Sequence, residues 1–234
     1  MSPAPQVYLI PTVLAEDSTE AIPAYILPSV LLCSVFYVEN ERTSRRYLKK
    51  LSKEIVIDDY KWVTIQKAEG PVMQEFYGDL RQGRIIGIMS EAGCPGVADP
   101  GQALVAAAQK SGAIVKPLVG PSSILLGLMA SGMNGQLFRF NGYLPIDNAA
   151  RHKALKELEA DSEKTDCTHI FIETPYRNNA LLETILKHCQ PQTRICIAAN
   201  ITGEGESIRT RTVADWKKDI PDLHKIPVLF LLNT

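Results

Sequence analysis

Short runs of β-branched and aromatic residues alternate with helix-period patterns along almost the entire chain, and this alternation is what most limits the fold. Strands separated by helical segments build crossover units around a sheet, so the sequence predicts an α/β protein. The strands expected first are 7–13, 35–39, 62–66, 84–90 and 114–118, with helices over 41–51, 72–81 and 101–111. The last helix is the best signalled. Pro100 suits its start, Leu104, Val105 and Ala108 form one stripe, and Gly112 offers a stop. A second series follows: helices 122–130, 149–159 and 178–188, and strands 138–143, 169–173, 194–201 and 226–232. The helix at 149–159 carries both charge signs and reads as a solvated outer face. A chain of 234 residues favours two domains over one, and the Gly120-Pro121 step places the boundary between 1–119 and 120–234.

Charge and cysteine usage narrow the function classes. The 25 basic residues nearly balance the 26 acidic ones, which argues against coating nucleic acid by bulk electrostatics but leaves room for a local basic patch. Five scattered cysteines, an odd number, do not form a disulfide framework. There is no Cys-x-x-Cys pair and the histidines lie far apart, so no metal site is expected. The N-terminus has no secretory pattern, and Pro23, Pro28 and Ser29 interrupt the longest apolar stretch. A cytoplasmic protein without a membrane span is the expectation.

The densest chemical signal is the run from Ile88 to Gly101, which leaves one expected strand and enters a helix. Ligands of open α/β sheets bind outside the carboxyl ends of strands, where glycines allow backbone approach and a helix start offers N–H donors. Gly93, Gly96 and Gly101, with Pro95 and Pro100, shape that backbone, and Glu91 and Asp99 place carboxylates near its two ends. Neither the Walker spacing nor the Gly-x-Gly-x-x-Gly fingerprint is present, so a phosphate ligand is not favoured.

The stretch Ser90-Glu-Ala-Gly-Cys-Pro-Gly-Val-Ala-Asp-Pro-Gly101 resembles the signature loop of the tetrapyrrole methylase family, whose members use S-adenosylmethionine. Pro117–Ser123, Ser131-Gly132, Phe140–Pro145 with Arg151, and Ile172–Arg177 follow in that family's order. They resemble the branch that methylates a cytidine ribose 2′-oxygen in small-subunit ribosomal RNA. The resemblance is good over residues 84–201 and poor over the N-terminal third. It implies two α/β domains with a cofactor in the cleft between them, a homodimer, and ribosomal RNA as a transient partner. It also implies that Ser90, Glu91, Ala92, Gly93, Val97, Asp99, Ser122, Ser123, Leu144 and Ala199 line the S-adenosylmethionine site, with no metal.

Two departures bear on the acceptor. Where the branch has Thr-Pro-Ile-Gly-Asn-Leu and then Ala-Glu-Asp-Thr-Arg, this chain has Ile10-Pro-Thr-Val-Leu14 and Val38-Glu-Asn-Glu-Arg-Thr43, so the glycine is gone. Where the branch has Arg-Glu-Leu-Thr-Lys, it has Ala199-Asn-Ile-Thr-Gly203, without the acid or the lysine. A ribose hydroxyl needs positioning and a route for its proton. Glu39, Glu41, Arg42 and Lys67 are the N-terminal candidates for that work, though Glu41 and Arg42 also suit a helix start.

The basic segment holding Arg42, Arg45, Arg46, Lys49 and Lys50, with Tyr47 among them, is the candidate RNA contact, against the alternative of a solvated helix. Arg209 and Arg211 would share one face of a strand and add two cations. Three readings follow: an rRNA ribose 2′-O-methyltransferase, a cofactor- or RNA-binding paralogue without transfer, and a methyltransferase for a tetrapyrrole or other small molecule.

Overall fold

The computed structural model describes residues 4–65 and 70–234. Their contacts divide into two units, Met1–Ser122 and Ser123–Thr234, each built on a five-stranded sheet.

In the first unit, β1 (Gln6–Leu9), β2 (Val35–Val38), β3 (Lys61–Thr64), β4 (Ile85–Met89) and β5 (Ile114–Pro117) stand in the order β3-β2-β4-β1-β5. All four pairings are parallel. A parallel sheet is covered on both faces, which explains the near-continuous apolar runs of β2 and β4. On one face, Tyr37, Ile86 and Ile88 pack with Phe76 and Leu80 of α3 (Pro71–Arg81) and Leu104 and Ala108 of α4 (Gly101–Lys110). On the other, Ile10, Phe36 and Met89 pack with Ile26 and Val30 of α1 (Ile26–Leu32) and Tyr47 and Leu48 of α2 (Glu41–Leu51).

Helix α1 has no counterpart among the expected elements. Its Pro28 lies in the first turn, where a missing N–H costs no hydrogen bond, so the proline that interrupts the apolar run does not break the helix. Helix α2 matches its expected range because Asn40 caps it, accepting from the N–H groups of Arg42 (3.0 Å) and Thr43 (3.3 Å). The expected third strand ends on Gln66, which lies outside the described residues, as does Lys67.

The second unit is mixed. Its strands β6 (Phe138–Tyr143), β7 (Thr168–Ile172), β8 (Arg194–Ala199), β9 (Ser207–Thr212) and β10 (Val228–Asn233) follow the order β6-β7-β10-β8-β9. Only β6 and β7 pair in parallel. The closing strand β10 inserts at the centre, antiparallel to β7 and β8, and β9 returns antiparallel on the edge. Crossover connections thus account for the first sheet and only part of the second. Helix α5 (Ser123–Ser131) and α7 (Asn178–His188) lie in this unit with the short α8 (Val213–Trp216).

Helix α6 (Asn148–Thr165) extends six residues past its expected end. Polar anchors replace the apolar stripe there: Glu159 Oε1 accepts from Gln190 N (2.7 Å) and Thr193 Oγ1 (2.6 Å), and Ser162 Oγ accepts from Thr234 N (3.0 Å). Arg151 and Glu159 are buried, so this helix is not the purely solvated face its charges imply. All five cysteines are free, four of them buried. Among the described residues no helix is long and apolar enough to cross a membrane.

Candidate functional site

The loop after β4 is held from several directions. Ser90 is buried, and Thr12 beside it donates Oγ1 to the Ser90 carbonyl (3.3 Å) and its N–H to the Gly93 carbonyl (2.9 Å). Glu39, one residue past the end of β2, accepts the Glu91 N–H on Oε2 at 2.7 Å. Asp99 folds the far side onto itself, with Oδ2 accepting from Gly96 N (2.8 Å) and Oδ1 from Gly101 N (2.7 Å).

The backbone between these anchors is unusual. Gly93 (φ 74°) and Gly96 (φ 84°) use the left-handed freedom of glycine, and Ala98 occupies the same region at φ 61° without it. A non-glycine residue held there is strained by about 1–3 kcal/mol, and such strain clusters at binding loops. Gly93 is also confined in space: an added Cβ would stand 3.1 Å from Leu14 Cδ2 and 3.3 Å from the Pro121 carbonyl oxygen. Cys94 Sγ lies against that same carbonyl at 3.5 Å, so the loop abuts the segment leading to Ser122.

Burial raises the Glu39 pKa, with Asp99 and Glu91 adding to the rise and the Glu91 N–H opposing it. Burial likewise raises that of Asp99, against the N–H groups of Gly96 and Gly101. Through these hydrogen bonds both carboxylates hold the loop, Glu39 at Glu91 and Asp99 at Gly96 and Gly101.

A cavity of about 250 Å³ opens in the first unit beside Ser90 and Glu91, with Thr12, Arg46, Tyr47 and Lys50 also on its wall. Thr12 and Glu16 are not among the expected site residues. The sequence signal for Thr12 is its place just past the end of β1, where ligands of parallel sheets gather.

Of the other expected cofactor residues, Glu91, Ala92 and Val97 lie along the loop, Glu91 and Val97 exposed and Ala92 largely so, while Gly93 is buried in it. Ser122 ends the first unit and Ser123 opens α5 in the second. Leu144 and Ala199 are buried in one apolar cluster of the second unit, where Ala199 also borders a cavity of about 500 Å³.

The basic helix is less available than its sequence implies. Arg45 pairs with Glu41 and lies over the Trp62 ring, Arg46 pairs with Glu16 (3.3 Å), and Lys50 donates to the Glu16 carbonyl (2.8 Å). Lys49 donates to the Lys53 carbonyl at 3.0 Å, while Arg42 is exposed at the helix start next to Glu41. Tyr47 is not a surface platform for a base: it is buried, its hydroxyl donates to the Pro11 carbonyl at 2.8 Å, and it reaches only the wall of the cavity. In β9, Arg211 lies over Trp216 and pairs with Asp219 (3.1 Å).

No protein-family profile matches the sequence. The chain is 39% identical over 108 residues to ribosomal RNA small subunit methyltransferase I of Halalkalibacterium halodurans, covering 46% of this chain and 36% of that protein. It is 29% identical over 214 residues to the protein of the same name from Vibrio cholerae, covering 91% and 70%. Across the first four such relatives the match spans 36% to 70% of their length. Among solved structures, uroporphyrin-III-C-methyltransferase from Thermus thermophilus superposes with a TM-score of 0.56 at 20% identity, over 97% of this chain and 94% of that one. The fold is that of this methyltransferase.

Proposed function

From a chain that has the tetrapyrrole methylase fold and resembles ribosomal RNA small subunit methyltransferase I, we propose an S-adenosylmethionine-dependent methyltransferase acting on a ribose 2′-oxygen of small-subunit rRNA. The observation that carries this reading is the loop from Ser90 to Gly101. It is strained at Ala98, fixed by Glu39 and Asp99, and adjoins a cavity with cations on its wall.

The donor set fits the cofactor. Main chain at Ala92 and Gly93 suits a carboxylate and the exposed Glu91 suits an α-ammonium, while Leu14 and the Pro121 carbonyl pack against Gly93 and hold that backbone in place. When bound, S-adenosylmethionine supplies an electrophilic methyl group on a sulfonium, and transfer leaves a neutral thioether. The chain's part is to bind, orient and exclude water. The acceptor belongs in the cavity at Thr12, where Arg46 and Lys50 can hold a flanking phosphate. The branch's lysine is replaced by Gly203, so Glu41 and Arg42 are retained only as weak proton-handling candidates. A cytoplasmic homodimer is the accompanying proposal.

Cofactor titration of the wild type against Gly93→Val and Ser122→Trp tests the site. Both variants should lose binding. Unchanged affinity in folded variants rejects the assignment. Labelled cofactor incubated with small subunits lacking the modification then tests the acceptor. Binding without label transfer would favour the non-catalytic paralogue.

A further inference from the structure

Arg151 is a buried charge for which methyl transfer has no use. It lies in the first turn of α6 and is only 6% exposed. Its Nη2 donates to Asn148 Oδ1, while its Nε is buried and meets no acceptor. Among the described residues no carboxylate pairs with it. Asp147, one turn earlier, instead accepts the Ala150 N–H at 2.9 Å. The buried carboxylates of the described residues are all answered: Asp79 by Lys61, Glu173 by Arg177, and Glu159 by Gln190 N and Thr193. A guanidinium taken out of water without a counter-charge is costly, and an anion from outside the chain relieves that cost.

The surroundings of Arg151 suit an anion. With Asn148 it forms one wall of a cavity of about 320 Å³ whose other wall is α7. Helical spacing sets Ala180, Thr184, Lys187 and His188 on the facing side of α7, and the small Ala180 leaves the crevice open. The His152 ring lies 3.9 Å from that of His188, tilted by 33°, and Lys156 follows one turn later in α6. Desolvation, followed by His152, Lys187 and Lys156, holds the His188 pKa below its ordinary 6.5, so positive charge gathers here. Glu183 is the one acid on the wall, and its exposed side chain can turn to solvent.

We propose that the crevice between α6 and α7 binds a phosphate group through Arg151, Lys187 and His188. A guanidinium, an ammonium and an imidazolium supply only donors, and they approach from two helices, which suits a tetrahedral oxyanion with acceptors on every side. The cavity exceeds what the oxyanion alone requires, so the phosphate can be carried on a larger molecule. It is either a backbone phosphodiester of RNA or the monoester of a free small molecule.

Inorganic phosphate is the first probe, added to the full chain against chloride at matched ionic strength. It should raise the pKa of His188 toward or above 6.5, read from the ring resonances and assigned with His188→Gln. It should also raise the thermal midpoint of the wild type and not of Arg151→Met. In chloride Arg151→Met should be as stable as the wild type or more so, since it removes a buried charge that lacks a counter-ion. Lys187→Ala should weaken phosphate binding about threefold to tenfold, while Lys153→Ala, 79% exposed and paired with Glu157, should leave it unchanged. A single-stranded oligoribonucleotide without a terminal phosphate is the second probe. If it moves the His188 resonance, the group is a backbone phosphodiester; if only inorganic phosphate does, it is a monoester. Neither probe moving His188 overturns the site, as does an equal rise in midpoint for the wild type and Arg151→Met. Should Arg151→Met fail to fold, equal phosphate affinity in Lys187→Ala and the wild type overturns it instead. These readouts need no methyl transfer, so the site and the proposed activity fail separately.

Discussion

Glu39 Oε2 accepts the Glu91 N–H across 2.7 Å, so a carboxylate just past β2 fixes the first turn of the loop leaving its neighbour β4. A hydrogen bond to a charged group contributes about 1.5–3 kcal/mol. If the loop binds cofactor, Glu39→Ala should weaken that binding by roughly 10- to 100-fold, and Glu39→Gln, which keeps an acceptor oxygen, should cost much less. Calorimetric titration of both variants checks this. Equal losses would mean that the charge, and not the loop contact, matters.

The same carboxylate gives a pH signature. Burial holds the folded-state pKa of Glu39 above its ordinary value of 4.5. Between those two values the folded chain keeps a proton that the unfolded chain has released, so this group's stabilising contribution is full below 4.5 and lost as pH rises through the raised value. Glu39→Gln should therefore gain stability over wild type at pH near neutrality relative to pH near the acid end of that window. Urea midpoints at the two pH values measure the gain. An identical difference at both would remove Glu39 as the titrating group.

Asp99 receives two loop N–H groups at 2.8 and 2.7 Å, one of them from Gly101, the first residue of α4. Asp99→Ala leaves both without their acceptor and should cost about 1–3 kcal/mol of stability. Asp99→Asn, able to accept only through its single carbonyl oxygen, should fall between. Chemical unfolding orders the three, and a neutral Asp99→Ala would show that water satisfies the loop unaided.

Much of the fold was legible because period and capping agreed. Asn40 before α2 and Gly112 after α4 mark helix ends by local chemistry alone. What escaped depends on contacts distant in sequence. The central insertion of β10 leaves no local mark, since Val228–Asn233 reads as any buried strand. The extension of α6 rests on Glu159 meeting Thr193 across 34 positions. The site divides the same way. Glycines announce the loop from Ser90 to Gly101, and Asp99 folds it onto neighbours two and three residues away, but nothing local reveals that Glu39 reaches Glu91, or that Tyr47 turns inward to Pro11.

Lys50 offers a test of the acceptor cavity separate from the cofactor loop. Its ammonium lies on the cavity wall, donates to the Glu16 carbonyl at 2.8 Å and pairs at longer range with the exposed Glu16 and Asp17 carboxylates, 3.6 and 4.0 Å away. If a phosphate sits there, Lys50→Ala should weaken RNA binding uniformly across sequences and lower the salt slope by about one ion. Cofactor affinity should not change. Binding assays over a salt series decide it, and an unaltered slope would move the acceptor elsewhere.

Gly87 tests the packing beneath the site. It lies in β4, and a Cβ there would meet Phe36 Cδ1 and Cε1 at 2.6 Å and Ile10 Cδ1 at 2.9 Å. Phe36 cannot easily yield, since it stacks on Trp62 (centroids 5.1 Å apart) and meets the edge of Tyr60 at 5.0 Å. Gly87→Ala should therefore cost about 1–3 kcal/mol by overpacking. The backbone needs no left-handed geometry at this position, so the cost is steric and should be relieved by shrinking the neighbour. In a double-mutant cycle, Phe36→Leu should lose less stability in the Gly87→Ala background than in the wild type, with a coupling of about 0.5–3 kcal/mol. Strict additivity would place the strain elsewhere in the sheet.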